Sequence, residues 1–400
     1  MKLLWVKAGG LLPPDTGGKI RSFQILKQLA RKHDITLFTF YPAHPQDLHP
    51  AGSDIFSNVI CVPLPIPPRR SLAEYVRYSR MLIAGRPFTI DKYFYPEVRR
   101  RYAALLASTA FDLIVCDFLF PAPLIDWKTP PPKILFTHNV EAQVWARHYK
   151  IASNPLVKLA CWLESRALQR AERHYVQLAD SVLAVSENDR ATFVQYADPC
   201  RVSVIPTGVD TAYFQPGVLP GPAPEQPDTM AFTGSMDWMP NEDGVAYFVE
   251  KILPLIRREI PEAAFWAVGR RPPRRLQALA SGNVLVTGAV DDIRPYLAKA
   301  AVCVVPLRSG SGTRIKIFEA MAMGKAVVST SLGAEGLPVR HGENIILADD
   351  PAAFSREVVD LLRDPPRRRQ LGQAARKLVE ENYGWPAVAA YFDSVMQAAL

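Results

Sequence analysis

Cysteine is scarce in this chain and spread thin. Its five residues stand at positions 61, 116, 161, 200 and 303, and no two are close enough for a metal knuckle or a redox pair. Cys116 and Cys303 lie inside apolar strand-like runs, where a thiol behaves as a small hydrophobe. A reduced, cytoplasmic compartment is the expectation. Long apolar runs are also missing, and none approaches the length that spans a bilayer. The opening MKLLWVKAGG turns from a short apolar stretch into Gly and Pro, so it reads as a first core strand rather than a secretory leader. There is no Ser-His-Asp spacing, no Gly-x-Ser-x-Gly elbow, no metal-ligand cluster and no Asp-x-Asp motif in the first half. No metal is expected. No short-period repeat is visible either.

What is present is a globular composition, 48% hydrophobic and 22% charged over 400 residues. That length is too great for one ordinary core, so two domains are expected. The net charge is +8, with basic clusters at 69–70, 99–101, 270–275 and 367–369. Basic balance suits nucleic acid, anionic lipid or phosphate-bearing substrates. No zinc finger, RNA-binding aromatic signature or helix-turn-helix accompanies the clusters, so nucleic acid is not an expected partner. Such clusters ordinarily form solvated faces.

Apolar strand-like runs alternate with helical patterns almost throughout, which implies parallel sheets covered on both faces. In the first half, strands are expected at 2–7, 34–40, 59–63, 111–117, 133–137, 181–185 and 201–205. Residues 215–228, QPGVLPGPAPEQPD, are dense in Pro and Gly and read as a linker. A second alternating series starts at 230–233. It includes a helix at 241–258, strands at 264–268 and 283–286, and three closing helical stretches. The expected architecture is α/β, with two Rossmann-like domains facing each other across a cleft. Residues 1–210 form an acceptor-binding domain, 211–228 a linker and 229–384 a donor domain. Residues 385–400 form a C-terminal helix packing back toward the first domain. Open α/β sheets bind ligands at the carboxyl ends of their strands.

The most informative stretch is 306–330, PLRSGSGTRIKIFEAMAMGKAVVST. An apolar run ends in Ser309, Gly310, Ser311, Gly312 and Thr313, and a helix carrying Arg314, Lys316 and Glu319 follows. Bare N–H groups, the helix N-terminus and two cations suit an anion there. Glu319, one turn further in, can accept hydrogen bonds from hydroxyls. A diphosphate with a ribose attached fits that inventory. Gly234 and Ser235, Gly269 and Arg270, and Gly288 end three other strands of the same half and join it as donor-side candidates. In the first half, Gly17, Gly18 and Lys19 lie between the first strand and first helix and permit close approach of a sugar or phosphate. His138, Asn139 and Glu141 follow the strand at 133–137. His138 can meet a sugar hydroxyl or a phosphate. Glu141 is a base or a first-turn carboxylate favoured by the helix dipole.

Several motifs resemble one family. VIPTGVDTAYF at 204–214, ADSVLAVSE at 179–187 and FEAMAMGKAVV at 318–328 resemble the signatures of retaining GT-B glycosyltransferases of the family 4 type. FTGSMDWMPNEDG at 232–244 and GSGTRIKIFEA at 310–320 look closest to exopolysaccharide and exosortase-associated sugar transferases. The resemblance implies a nucleotide-sugar donor, a UDP-sugar by default, held by the second domain. It implies a glycan or lipid-linked acceptor held by the first, and a metal-independent transfer that retains anomeric configuration, with no cofactor. Glu319 matches the second glutamate of the family's pair, which contacts the donor ribose. The first falls on Ser311 and is absent. The usual Arg and Lys after the domain's first strand would lie near Ser235 and Asn241 and are missing, so Arg314 and Lys316 are expected to carry the diphosphate. His138 matches an acceptor-domain histidine near the reacting centre.

The alternatives are a nucleotide-sugar epimerase or hydrolase on the same fold, and a non-catalytic nucleotide-sugar-binding subunit. The mixed aromatic and arginine segment 75–106 suggests peripheral contact with the cytoplasmic face of the inner membrane, against an ordinary amphipathic helix pair.

Overall fold

The computed structural model describes the chain apart from residues 13, 15, 42–54, 67–70, 153, 218–223 and 310–313. It divides into two compact units, Met1–Pro206 with Val388–Leu400, and Thr207–Ala387.

The first unit is built on seven strands: β1 (Lys2–Ala8), β2 (Asp34–Tyr41), β3 (Asn58–Pro63), β4 (Leu113–Asp117), β5 (Lys133–Phe136), β6 (Ser181–Ala184) and β7 (Val202–Val204). Their order is β3-β2-β1-β4-β5-β6-β7, and every pair is parallel. After its first residue β1 is buried on both faces, which is why it reads as a near-continuous apolar run. The helices are α1 (Gly17–Leu29), α2 (Leu72–Ile83), α3 (Phe88–Asp91), α4 (Pro96–Ser108), α5 (Glu141–Ile151), α6 (Pro155–Leu178) and α7 (Glu187–Phe193).

The second unit has six strands: β8 (Gln226–Thr233), β9 (Ala264–Val268), β10 (Val284–Val286), β11 (Ala300–Val305), β12 (Ala326–Ser329) and β13 (Ile346–Leu347). Their order is β10-β9-β8-β11-β12-β13, again all parallel. Its helices are α8 (Met239–Tyr247), α9 (Leu253–Glu259), α10 (Arg274–Gln277), α11 (Arg294–Lys299), α12 (Ile315–Ala322), α13 (Pro351–Arg363) and α14 (Pro365–Asn382). The last helix, α15 (Trp385–Ala399), starts in this unit and belongs to the first from Val388 onward. There Phe392 is fully buried, its ring 5.4 Å from Trp5 and 5.2 Å from Phe136.

Three details differ from the sequence reading. The second unit begins at Thr207, a few residues before the expected linker at 211–228, and β8 already opens at Gln226 within that stretch. The single helix expected at 241–258 is interrupted by a π-helical turn over Phe248–Ile252. Pro254, at the start of α9, has no N–H to continue an α-helical ladder, and the wider turn absorbs the break. The two-residue β13 was too short to show as a run.

Candidate functional site

The strand orders locate the candidate sites. In the first sheet the order reverses between β1 and β4, and in the second between β8 and β11. The connections leaving such neighbours part to opposite faces and open a crevice beyond their carboxyl ends. The chemically distinctive residues of each unit gather at its own reversal point.

In the first unit these are charges. Lys7 near the end of β1 and Asp117 at the end of β4 are both buried, with Nζ and Oδ2 2.9 Å apart. Trp5 Nε1 donates to the same oxygen at 2.8 Å. His138, just beyond β5, holds the other carboxylate oxygen through Nε2 at 2.8 Å. Its Nδ1 lies 3.3 Å from Arg21 Nη1. A guanidinium can only donate, so Nδ1 accepts and the proton sits on Nε2, directed at Asp117. Burial lowers the His138 pKa to about 4, against the pull of Asp117, and the ring is neutral at physiological pH. Burial pushes the Asp117 carboxyl up, but Lys7 and His138 outweigh it and hold it well below the usual range. Lys7 is itself lowered by burial.

Phe118 follows Asp117 at φ +71, a left-handed conformation rare for a bulky residue. Its ring stacks on His138 at 3.9 Å. Gly18 makes room for it, since a Cβ there would stand 2.6 Å from Phe118 Cζ. Gly17 opens α1, and Lys19 in the same turn is half-buried. Asn139 is exposed in the turn before α5, and its side chain hydrogen-bonds Glu141. Glu141 is buried in the first turn of α5, and burial raises its carboxyl to about 7. Beside it, Glu172 Oε1 accepts from Ala142 N at 3.3 Å, and burial raises this second carboxyl to about 8.

The expectation for His138 was a ring nitrogen offered to a sugar hydroxyl or a phosphate, and in this structure Asp117 and Arg21 take the two nitrogens. Both nitrogens are engaged inside the protein, so the ring positions the β4 and β5 ends. Sequence reading missed Lys7, Arg21, Asp117 and Phe118. The available signal was a lysine and an aspartate closing otherwise apolar strands, LLWVK and LIVCD.

In the second unit the edge is made of glycine. Gly269 stands at φ +157, where a Cβ would be 1.7 Å from the Gly234 carbonyl oxygen. Gly288, at φ +75, bridges to Gly269. Lys316, in the first turn of α12, reaches this edge. Its Nζ donates to Asn241 Oδ1 at 2.6 Å, and Asn241 Nδ2 donates to the Ser235 carbonyl at 2.8 Å. A Cβ on Gly234 would lie 2.8 Å from Lys316 Nζ. Arg270 Nε donates to Ser235 Oγ at 3.0 Å. Burial lowers the Lys316 pKa to about 7, partly offset by Glu319. Burial raises Glu319 to about 7, partly offset by Lys316. Both residues are half-buried. Arg314 is buried, and its Nη2 donates to the Leu332 carbonyl at 3.1 Å. The two cations expected side by side at the helix tip thus differ, Arg314 being turned to the following loop and Lys316 to the glycine edge. Ser309 lies in the loop beyond β11. Gly310, Ser311, Gly312 and Thr313 lie outside the described residues.

The family signature described as Glycosyltransferase Family 4 matches residues 17–213, and that described as Glycosyl transferases group 1 matches residues 227–364. The chain belongs to the family 4 glycosyltransferases. Its fold is GT-B. Among curated relatives, this glycosyltransferase is similar to an uncharacterized 44.6 kDa protein in the cps region of Klebsiella pneumoniae. The two are 20% identical, over 71% of this chain and 74% of that one. A D-inositol 3-phosphate glycosyltransferase of Segniliparus rotundus is 31% identical over 58% of this chain and 56% of its own. The glycosyltransferase thus spans little more than half the length of the inositol-phosphate relatives it matches. Among solved structures, Anabaena HepE in complex with UDP shares the fold with a TM-score of 0.68 at 14% identity, over 100% of each chain.

Proposed function

We propose that this glycosyltransferase moves a sugar from a nucleotide-diphosphate donor, a UDP-sugar by default, to a glycan or lipid-linked saccharide. The reaction retains anomeric configuration and serves exopolysaccharide or cell-surface polysaccharide synthesis. The observation that carries the reading is Lys316 at the edge formed by Gly234 and Asn241. The family's usual basic residues would lie near Ser235 and Asn241 and are missing, and a lysine from α12 brings its ammonium to Asn241 and Gly234. The glycines let a phosphate approach bare backbone, and Arg270 stands on the same loop. The complex of HepE with UDP and the cps-region relative agree with this donor and this setting. Five unpaired thiols agree with a cytoplasmic site of action.

In the transfer, the bond from the anomeric carbon to the diphosphate oxygen breaks. The acceptor oxygen bonds to the same face, and its proton passes to the departing diphosphate. Catalysis then rests on neutralising the leaving oxygens rather than on a strong base. Lys316 supplies that charge without a metal, and Glu319 receives the ribose hydroxyls.

The test is Lys316→Ala in the full chain, with UDP binding and transfer measured over a panel of UDP-sugars. Loss of one such donor is expected to lower turnover about a hundredfold. Unchanged turnover overturns the assignment. Sugar release from donor alone at full speed would favour a hydrolase, and tight binding without transfer to any acceptor would favour a binding subunit.

A further inference from the structure

Apolar side chains normally face a helix's packing partner, but on α2 they face outward. Leu72, Tyr75, Val76 and Ile83 follow helical spacing along one stripe and are 80%, 56%, 45% and 88% exposed. The helix lies along α6. Burial and the neighbouring Glu164 and Cys161 raise the Tyr78 phenol on its inner face, and Arg170 Nη2 donates to the Gly85 carbonyl at 3.1 Å. The first turns of α6 continue the pattern, with Leu156, Leu159 and Trp162 at 77%, 54% and 42% exposure. A shallow groove lined by Arg86, Trp162, Arg166 and Arg170 joins the two helices.

The exposed charges around this stripe are basic. Arg80 stands exposed on α2, and Arg166 and Arg170 on the facing part of α6 with Lys158 half-buried beside them, while Arg77 turns inward and donates to the Asp91 carbonyl at 3.0 Å. Among the described residues of these two segments the carboxylates are Glu74, half-buried, and Glu164, fully buried. Glu164 accepts from Phe88 N at 3.1 Å and Thr89 N at 2.8 Å, so it serves α3 and not the surface. Among the described residues no helix is long and apolar enough to cross a membrane. A two-helix face with an apolar ridge and a basic rim matches a bilayer interface, where acyl chains take the ridge and lipid phosphates the rim. A second copy of the chain is a poorer occupant, because a twofold contact would set the same arginines against one another.

We infer that the outward faces of α2 and the first turns of α6 form a docking surface for an anionic lipid bilayer. This narrows the contact expected over 75–106 to α2 and adds the first turns of α6. In α4 the apolar Val98, Tyr102 and Leu105 are buried, and Arg100 and Arg101 pair with Glu97 in the same helix. That helix is an ordinary amphipathic core helix. The inference rests on the first unit alone and stands independently of the donor assignment.

The experiment is flotation of the full chain with vesicles of phosphatidylcholine, with and without phosphatidylglycerol, at low and high salt. The chain is expected to float with phosphatidylglycerol vesicles at low salt, to be released at high salt, and to ignore pure phosphatidylcholine. The pair Leu72→Asp and Ile83→Asp, both at exposed positions, is expected to cut the bound fraction about tenfold. Circular dichroism and UDP binding of that variant should match the wild type, which keeps folding and the donor site apart from the membrane reading. Three results would overturn the inference. One is no binding to phosphatidylglycerol vesicles. Another is undiminished binding by the aspartate variant. The third is a dimer in solution that the same substitutions dissolve.

Discussion

The two units share one topology and treat charge at their reversal points in opposite ways. At the first, Lys7, Asp117, His138 and Arg21 are buried and bind one another. Asp117 answers the Lys7 charge and Arg21 donates to the neutral His138 ring, and the pKa values of Asp117 and His138 are driven far from neutrality. At the second, Lys316 and Glu319 both lie near pH 7, beside an edge built of glycine. The first arrangement fixes a shape. The second leaves two ionisable groups poised near neutrality beside bare backbone.

Removing the centre of the first arrangement should have the largest effect. Asp117→Ala leaves the Lys7 ammonium buried without its counter-charge, and should cost about 3–5 kcal/mol in urea unfolding. A loss under about 1 kcal/mol would mean that the four residues are not one unit. Gly269→Ala probes the second edge through its backbone. The added Cβ collides with the Gly234 carbonyl, and the φ is foreign to L-residues. A loss of about 3 kcal/mol is expected in the same measurement, with UDP binding abolished.

Acid sharpens the contrast next. The His138 pKa falls from about 6.5 unfolded to about 4 folded, so the unfolded chain takes up a proton first. Stability is therefore whole above about pH 6.5 and is lost as pH falls toward about 4, by about 2–3 kcal/mol from this group. His138→Gln should lack that part of the acid loss. The smallest effect concerns the second edge alone. With Lys316 near 7, UDP affinity should be flat at low pH and decline by at most about tenfold per unit as pH rises beyond about 7. Lys316→Arg, which stays charged, should flatten the calorimetric profile.

Much of the fold was legible because its strands are buried on both faces and so appear as apolar runs. The glycine edge was legible for a related reason. Gly234, Gly269 and Gly288 end strands, and their positive φ values show why glycine stands there. The first unit's network was not legible in the same way. Arg21 sits within α1, and nothing in one sequence reveals that it turns inward to a histidine more than a hundred residues away. The outward apolar face of α2 was hidden too. Helical spacing shows that a stripe exists but not whether the core or the solvent lies against it.

The final helix carries a consequence for biosynthesis. Trp5 and Phe136, from the first and fifth strands, close their packing on Phe392, and His33 Nε2 meets Asp393 Oδ1 at 2.9 Å. Translation delivers these partners only after the whole second unit. A nascent polypeptide released at Pro206 would carry an indole and a phenyl ring with one flank bare to water. Maturation of the leading half must therefore wait for the trailing half to emerge from the ribosome, and chaperone demand should peak in that interval.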